Sequence, residues 1–452
     1  MSLSANFRAI GSRMLADLTI LVPEQTRTTF LVRSSDHHRV SRHNSFAPPP
    51  LPPSPSSPLR ALALAACDAS DLTTPPPAWL EEDVRALAPA MPPDLSPARL
   101  EVPLFRWLRV ASALDFTGDL DGARQLLDRL ETRGPAQLEH TDATALRALI
   151  CARRGRLARQ IGELDAAIDW YQEGLARSQG ARNGDAWGAC VQGLANAAQA
   201  RGDVHTAERL TRLVTMQGDR IPHYARVAAW ITRTVLHRQQ GRLEAATRCA
   251  WIAHDLVEER DERRGQALVE LSRLALARGQ AGAARRGCEV VLGFAQTLRV
   301  RRPARSALLA AMVVEWRRAP AHPPARTLVE QAAEALLVEV ANAADPWERL
   351  HAQLDALEAL RALAQEASSL SATSIRPRCR ALQRDIALTL AARAQHGEPL
   401  VWAEQRLAAL TRRTRAATAL DPAVAGDEAA QAFARLAALP DPVPRRKEVV
   451  GA

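Results

Sequence analysis

Apolar and small residues recur along the middle of the chain with helical spacing, and short polar breaks interrupt them at regular intervals. Ala123, Leu126, Leu127 and Leu130 lie at i, i+3, i+4 and i+7 spacing, which predicts an amphipathic helix. Residues 101–116 carry a comparable apolar run on the other side of a Thr-Gly-Asp break. The pattern predicts an all-α chain built from pairs of helices.

The breaks share a Gly-x-x-x-x-Ala sequence that occurs five times. The pairs are Gly118 with Ala123, Gly162 with Ala167, Gly202 with Ala207, Gly241 with Ala246, and Gly279 with Ala284. Successive glycines are 44, 40, 39 and 38 residues apart. A nearly fixed period of this length is typical of helical-repeat proteins, in which each helix pair stacks on the next.

The same signals divide the chain into four regions. Residues 1–99 are expected to be a poorly structured N-terminal region, with a Pro-rich linker at 47–59. Residues 100–300 hold the five repeats, and residues 301–440 hold degenerate repeats and capping helices. Residues 441–452 are expected to be a disordered tail. Helix pairs are predicted at 101–131, 140–179, 184–217, 222–260, 262–298 and 303–342, and later helices from Asp345 and at 377–395, 399–419 and 427–439.

The charge is strongly basic but widely distributed. The formal net charge is +9, and every basic residue except Lys447 is arginine. Most arginines alternate with acidic residues, as at 259–264, which favours a solvated surface over a nucleic-acid site. No apolar run reaches the roughly 18 residues expected of a membrane span. We therefore expect neither a nucleic-acid partner nor a membrane-spanning segment.

The six cysteines follow the repeat rather than a metal or disulfide pattern. Cys151 and Cys190 lie eleven and twelve residues before their glycines, whereas Cys249 and Cys288 lie eight and nine residues after theirs. No C-x-x-C pair is present. They are expected to be small core residues of a protein in the reducing cytoplasm.

Sequence motifs of catalysis are absent. The chain contains no G-x-x-x-x-G-K-[ST] phosphate loop, no H-E-x-x-H zinc motif and no G-x-S-x-G nucleophile elbow. Single histidines at His205, His237 and His254 have no ligands or carboxylate partners at suitable spacing. We expect a non-enzymatic protein without metal or cofactor.

The five units resemble tetratricopeptide (TPR) repeats. With the break glycine counted as position fifteen, three positions carry the likeness: a large residue at four, a small one at eight and alanine at twenty. Position four holds Trp107, Cys151, Val191, Trp230 and Leu268, and position eight holds Ala111, Gly155, Ala195, Thr234 and Ser272. The resemblance implies a right-handed superhelical solenoid of antiparallel helix pairs. The units are longer than is usual in the family, like those of bacterial signalling regulators.

The resemblance also implies a concave groove, lined by positions two, five, nine, twelve and thirteen of the first helices. In repeats two to five these positions give the candidate partner-binding residues Arg156, Arg159, Gln160, Gln192, Asn196, Gln199, Arg238, Gln239, Gln266 and Arg273. Their amides and guanidinium groups could bond peptide backbone and carboxylates. We expect alanine at Arg156, Asn196 and Arg273 to abolish partner capture and leave folding intact.

These features favour a protein–protein interaction scaffold that binds a protein or peptide on its concave face. One alternative is a peptide-sensing signalling or transcriptional regulator. A second rests on residues 385–410, which resemble the last helices of arrays that precede caspase-like (CHAT) peptidase domains. That alternative is a detached regulatory arm of such a peptidase system.

Overall fold

A computed structural model describes the fold of most of the chain. The described residues are 58–87, 95, 97–180, 184–218, 221–257, 261–318, 323–341, 346–366, 369–395, 401–411 and 433–439. They are predominantly helical and contain no strand, which confirms the all-α prediction for these ranges. The Pro-rich linker before residue 58 and the tail after residue 440 lie outside the described residues.

The helices pack mainly against their neighbours in sequence. In chain order they are α1 Pro58–Ala69, α2 Ala78–Leu87, α3 Pro97–Leu100, α4 Pro103–Phe116, α5 Leu120–Arg133, α6 His140–Ile161, α7 Leu164–Gly180, α8 Gly184–Ala200, α9 Val204–Met216, α10 His223–Gln239, α11 Leu243–Asp255, α12 Glu262–Ala277, α13 Ala281–Phe294, α14 Leu298–Arg318, α15 Pro323–Ala341, α16 Pro346–Glu366, α17 Ser369–Gln395 and α18 Val401–Thr411. The five repeats therefore correspond to the pairs α4–α5, α6–α7, α8–α9, α10–α11 and α12–α13.

Each of the five break glycines ends a helix in the same way. Their φ angles lie between 72° and 94°, a left-handed conformation that costs glycine little and other residues more. The residue after each glycine donates its N–H to a carbonyl five positions back, as in Glu163 N to Ala158 O at 2.9 Å. This Schellman arrangement satisfies the last carbonyls of the helix and turns the chain. It explains why glycine recurs at this position of every repeat.

Alanine at Gly202 should destabilise the fold by about 1–2 kcal/mol, because its φ of 81° is left-handed and an added Cβ would meet no atom within 4 Å. The cost is therefore purely conformational. Gly282 is the matched control, since it also has open space but lies in the right-handed first turn of α13. Gly282→Ala should be neutral or stabilising. Urea denaturation measures both, and equal stability of the two variants would refute the explanation.

The small positions of the repeat bring paired helices close together. The five alanines at position twenty are at most 1% exposed. The ring of Tyr171 in α7 packs against the backbone of two glycines, Gly155 and Gly193. A Cβ added to Gly155 would lie 2.7 Å from the ring, and one added to Gly193 would lie 2.2 Å from it. Close approach of α6 and α8 to α7 thus depends on residues without a side chain. Tyr171 is itself 2% exposed, so its ring is part of the core.

The cysteines occupy the core, as the sequence pattern predicts. All six are buried and none forms a disulfide. Burial raises the pKa of Cys67 and Cys151 to about 11 and that of Cys288 to about 12. Their thiols are therefore protonated at neutral pH and chemically inert.

Residues 58–87 belong to the region 1–99 that was predicted to be poorly structured, and the structure shows helices there; residues 1–57 lie outside the described residues. Within 58–87 the chain forms α1 and α2, which pack on α4 and α5. Cys67 and Leu80 are fully buried there, and Trp107 Nε1 donates to the Thr74 carbonyl at 3.2 Å. The sequence pattern predicts a short helix at 78–87, which agrees with α2, whereas the Pro-rich flank hides α1 from a composition argument. α1 and α2 cover the apolar face of the first repeat.

Two helices begin before the prolines at which the sequence predicted them to start. α14 begins at Leu298 and α17 at Ser369, so Pro303 and Pro377 lie inside helices that were predicted to start there. Proline removes one backbone hydrogen bond and does not prevent a helix from starting one or two turns before it. Beyond α14, the helices α15, α16, α17 and α18 share one apolar core with it.

Candidate functional site

The first helices of six successive pairs surround one cavity of about 250 Å³. The lining side chains come from α4, α6, α8, α10, the start of α12 and the start of α14, with Tyr171 of α7 added. Asp115 of α4 and Arg299 of α14 approach to 3.7 Å across it. The first repeat therefore lies against the helix that follows the fifth, and both contribute to the wall of the cavity.

Arginine dominates the charged lining of the cavity. Its guanidinium groups belong to Arg153, Arg156, Arg159, Arg263 and Arg299, and its carboxylates belong to Asp115, Asp261 and Glu262. Two of the three carboxylates serve helix ends. Asp261 accepts from the Arg263 N–H at 2.8 Å, and Glu262 accepts from the Thr297 N–H at 3.1 Å and its hydroxyl at 2.7 Å. Asp261 Oδ2 also lies 3.7 Å from Arg263 Nη1, and Asp115 is the carboxylate that faces Arg156, Arg299 and Arg153.

Asp115 lies at the centre of this cluster. Its Oδ2 is 2.6 Å from Arg156 Nε, and its Oδ1 accepts from Gln160 Nε2 at 2.9 Å. Burial raises the pKa of the Asp115 carboxyl, but the guanidinium groups of Arg156 and Arg299 outweigh burial and lower it below its ordinary value. The carboxylate is thus ionised at neutral pH.

One carboxylate does not neutralise the guanidinium groups around it. The pKa of Arg156 is lowered to about 10: burial is the largest cause, Asp115 opposes it, and Arg299, Arg153 and Arg159 act in the same direction as burial. Arg159 Nε is buried without a hydrogen-bond partner among the described residues. A buried excess of positive charge of this kind favours an anion.

Five of the ten predicted groove residues line the cavity: Arg156, Arg159, Gln192, Asn196 and Gln266. Gln192 and Asn196 also link α8 to α10. Gln192 Nε2 donates to Thr232 Oγ1 at 2.8 Å and to Asn196 Oδ1 at 3.0 Å. The Gln192 Oε1 atom is buried and has no partner among the described residues, so an amide acceptor remains for a ligand.

The other five predicted residues do not line this cavity. Gln160 is buried on Asp115, and Arg238 and Arg273 bind the buried carboxylate of Glu270 at 2.9 and 2.6 Å. Gln199 is half-buried and Gln239 is exposed.

The contacts of Arg156 and Arg273 also change an expectation about folding. Each guanidinium holds a buried carboxylate, Asp115 or Glu270. Removing either arginine would leave that carboxylate with one charged partner fewer. We therefore expect Arg156→Ala and Arg273→Ala to destabilise the fold, in contrast to the expectation from the sequence.

Another buried carboxylate lies farther along the chain, in α16. Asp355 is 2.6 Å from Arg406 of α18 and 3.4 Å from Arg302 of α14. His351 precedes it by one turn of the same helix. Burial lowers the pKa of His351 to about 3, the guanidinium groups of Arg302 and Arg406 act in the same direction, and Asp355 opposes them. The imidazole is therefore neutral in the folded protein.

His351 should make stability fall on mild acidification. Its folded pKa is depressed, so its contribution is complete above the unfolded value of about 6.5 and decreases from there toward pH 3. The slope is about 1.4 kcal/mol per pH unit. His351→Gln should remove roughly that slope between pH 6.5 and 4.5, measured by urea denaturation. The exposed His140→Gln is the control, and an unchanged slope in His351→Gln would contradict the assignment.

Sequence reasoning missed several lining residues for identifiable reasons. Positions nine, twelve and thirteen of the first repeat are Ser112, Asp115 and Phe116, and all three line the cavity. They were missed because the positional rule was applied only to repeats two to five. The same rule applied to the first repeat identifies them. Arg299 has no such signal, because the break that follows α14 lacks the glycine that sets the register.

Comparison with known proteins identifies no relative of this chain. No protein-family model matches it, and a search of curated proteins finds no matching relative. Within the described ranges, no group of three or more His, Cys, Asp or Glu side chains could hold a metal ion. In the same part of the chain, no helix is long and apolar enough to cross a membrane.

Proposed function

We propose that the chain is a non-enzymatic interaction protein that binds a peptide or protein partner at the cavity between its first helices, within a TPR-like solenoid. The observation that carries the proposal is the excess of guanidinium groups over carboxylates in the lining of the cavity. Asp115 faces Arg156 and Arg299, Asp261 Oδ2 lies 3.7 Å from Arg263 Nη1, and Glu262 binds the start of α14. A carboxylate of the partner would supply the missing negative charge.

The size of the cavity restricts what can enter. A volume of about 250 Å³ holds a short peptide end or one or two acidic side chains, and not a folded surface. Guanidinium groups bind carboxylates in a bidentate geometry, and the free Gln192 Oε1 can accept a backbone N–H. The best partner is therefore a short peptide segment with a free or side-chain carboxylate.

The contact between the first repeat and α14 supports a second candidate, a peptide-sensing signalling regulator. Asp115 and Arg299 lie 3.7 Å apart although they belong to the first repeat and to the helix after the fifth. A peptide carboxylate that competes for Arg299 would change the contact between these two ends of the array. Binding would then alter the shape of the molecule, and small-angle scattering with and without peptide measures that change.

A binding experiment with matched variants tests the main proposal. Arg159 and Gln266 line the cavity without holding a buried carboxylate among the contacts described above. We expect acidic peptides from a defined library to bind wild-type protein, with an affinity that falls as salt rises. Arg159→Ala combined with Gln266→Ala should weaken binding at least tenfold and keep the thermal midpoint. Arg212→Ala, an exposed arginine of α9, should bind normally.

Two outcomes would overturn the proposal. One is that no acidic peptide of the library binds the wild-type protein. The other is equal binding by the wild-type protein, the double variant and the Arg212→Ala control, which would place any peptide site elsewhere.

A further inference from the structure

The lining of the cavity holds more positive than negative charge. Among the described residues, five guanidinium groups and three carboxylates line it, which is an excess of two positive charges. The arginines belong to three helices: Arg153, Arg156 and Arg159 to α6, Arg263 to α12 and Arg299 to α14. A single carboxylate of a partner supplies one negative charge and two acceptor oxygens. The lining therefore suits a group with more charge and more acceptor oxygens than one carboxylate has.

The guanidinium groups of α6 and α14 converge on the same part of the cavity. Asp115 is 2.6 Å from Arg156 Nε and 3.7 Å from Arg299 Nη2, although these two arginines lie on different helices. Besides burial, and against the opposing effect of Asp115, the charges of Arg299, Arg153 and Arg159 lower the pKa of Arg156. The four guanidinium groups are thus within electrostatic reach of one another. One compact anion beside Asp115 can contact groups from both helices at once.

Three helices begin at the wall of the cavity. Its lining includes Tyr224 from the first turn of α10, Arg263 from the first turn of α12 and Arg299 from the first turn of α14. These helices have 17, 16 and 21 residues, and the N-terminal end of each carries a partial positive charge. Asp261 and Glu262 bind backbone N–H groups at two of these ends and offset part of that charge. The helix ends therefore act in the same direction as the arginines.

A buried acceptor in the same cavity sets a second requirement for the ligand. Gln192 is 6% exposed, and its Nε2 atom donates to Thr232 and Asn196, which fixes the orientation of the amide. Its Oε1 atom has no partner among the described residues. A buried acceptor without a donor is costly, so a ligand with an N–H next to its anionic group satisfies both features of the cavity. The main-chain N–H of a peptide is such a donor.

We propose that the cavity is selective for a phosphorylated side chain of the peptide partner. A phosphate monoester carries close to two negative charges and three strong acceptor oxygens on one compact group, which matches the excess of two charges and the arginines on three helices. A main-chain N–H beside it donates to Gln192 Oε1. The inference rests on the function proposed above and names the chemical group that the partner brings. A carboxylate is a weaker ligand of the same site, because it supplies one charge.

Five short peptides test this selectivity by calorimetric titration of the full-length protein. Each has blocked ends and alanine around a central phosphoserine, serine O-sulfate, glutamate, pair of glutamates or serine. Phosphate and sulfate esters share a shape and differ by about one charge, so this pair isolates the effect of charge. We expect the phosphoserine peptide to bind at least about tenfold more tightly than the sulfate and both glutamate peptides. The serine peptide should not bind, and inorganic phosphate should bind at least tenfold more weakly than the phosphoserine peptide.

A carboxylate added to the lining should remove the preference. Gln266→Glu keeps the size of the side chain and lowers the excess from two charges to one. It should weaken binding of the phosphoserine peptide at least tenfold and reduce its advantage over the glutamate peptide. Gln331→Glu, at an exposed position of α15, changes the net charge equally outside the cavity and should bind as wild type. Thermal midpoints show whether both variants fold, and Asn196→Asp replaces Gln266→Glu if that variant does not.

The outcomes separate this inference from the function on which it rests. Equal affinity for the phosphoserine, sulfate and glutamate peptides would overturn the inference and leave the proposed function standing. Unchanged phosphoserine binding in Gln266→Glu would overturn it, since the phosphate would then bind elsewhere. Inorganic phosphate that binds as tightly as the phosphoserine peptide would overturn the assignment to a peptide side chain. The absence of binding by any acidic peptide would overturn the inference together with the proposed function.

Discussion

Asp115→Asn should lower the free energy of unfolding by about 1.5–3 kcal/mol. The substitution removes the buried negative charge that Arg156 contacts at 2.6 Å and leaves the partly exposed guanidinium groups of Arg156 and Arg299 without it. Asparagine keeps the size of the side chain and an acceptor for Gln160, so the loss reports the charge rather than a cavity. Urea denaturation is the appropriate measurement, because guanidinium chloride is a salt and would screen the charge–charge interactions of the arginine cluster.

The control for this substitution is Asp169→Asn, an exposed aspartate of α7 that should change stability by less than about 0.5 kcal/mol. Added sulfate provides a further check. An anion that enters the cavity should recover part of the lost stability in Asp115→Asn and add less to the control. If Asp115→Asn is as stable as the wild-type protein, repulsion among the guanidinium groups does not lower the free energy of unfolding.

Gly193→Ala should destabilise the fold by about 3 kcal/mol. The new Cβ would lie 2.2 Å from the Tyr171 ring, which is wedged between α6 and α8 and is 2% exposed. Helix propensity alone would make alanine stabilising by about 1 kcal/mol, so the sign of the effect separates the two influences.

A double-mutant cycle with Tyr171→Leu shows whether the ring is the cause. Leucine removes the atoms that the Cβ meets, so the cost of Gly193→Ala should be smaller in the Tyr171→Leu background by more than 1 kcal/mol. Thermal and urea unfolding of the four proteins give the interaction energy. Additive effects would mean that Gly193 is required for some other reason.

The sequence predicts the helix pairs well because two local signals agree. Glycine marks each turn, and its φ of 72–94° is a property of the backbone alone. Alanine at position twenty marks the crossing of the two helices. The bounds of the repeat helices agree with prediction to within a few residues, and the buried cysteines also follow the repeat. α1 escaped prediction because its neighbours are rich in proline.

The site could be predicted only in part, because its members come from helices that are far apart in sequence. The positional rule finds which face a residue is on, and five of the ten candidates line the cavity. The rule does not identify which side chains of other helices contact the residues on that face. Arg238 and Arg273 were assigned to a ligand, yet both bind Glu270 of the protein itself. Arg299 comes from a helix outside the glycine register.

The contact between Asp115 and Arg299 also has a consequence for synthesis of the chain. At about 5–20 residues per second, Arg299 leaves the ribosome roughly ten to forty seconds after Asp115. The early helix pairs can fold in that interval, since most of their contacts are local. Closure of the array must wait for α14. Until then the arginine face of α6 is open to solvent and to any anionic molecule near the ribosome.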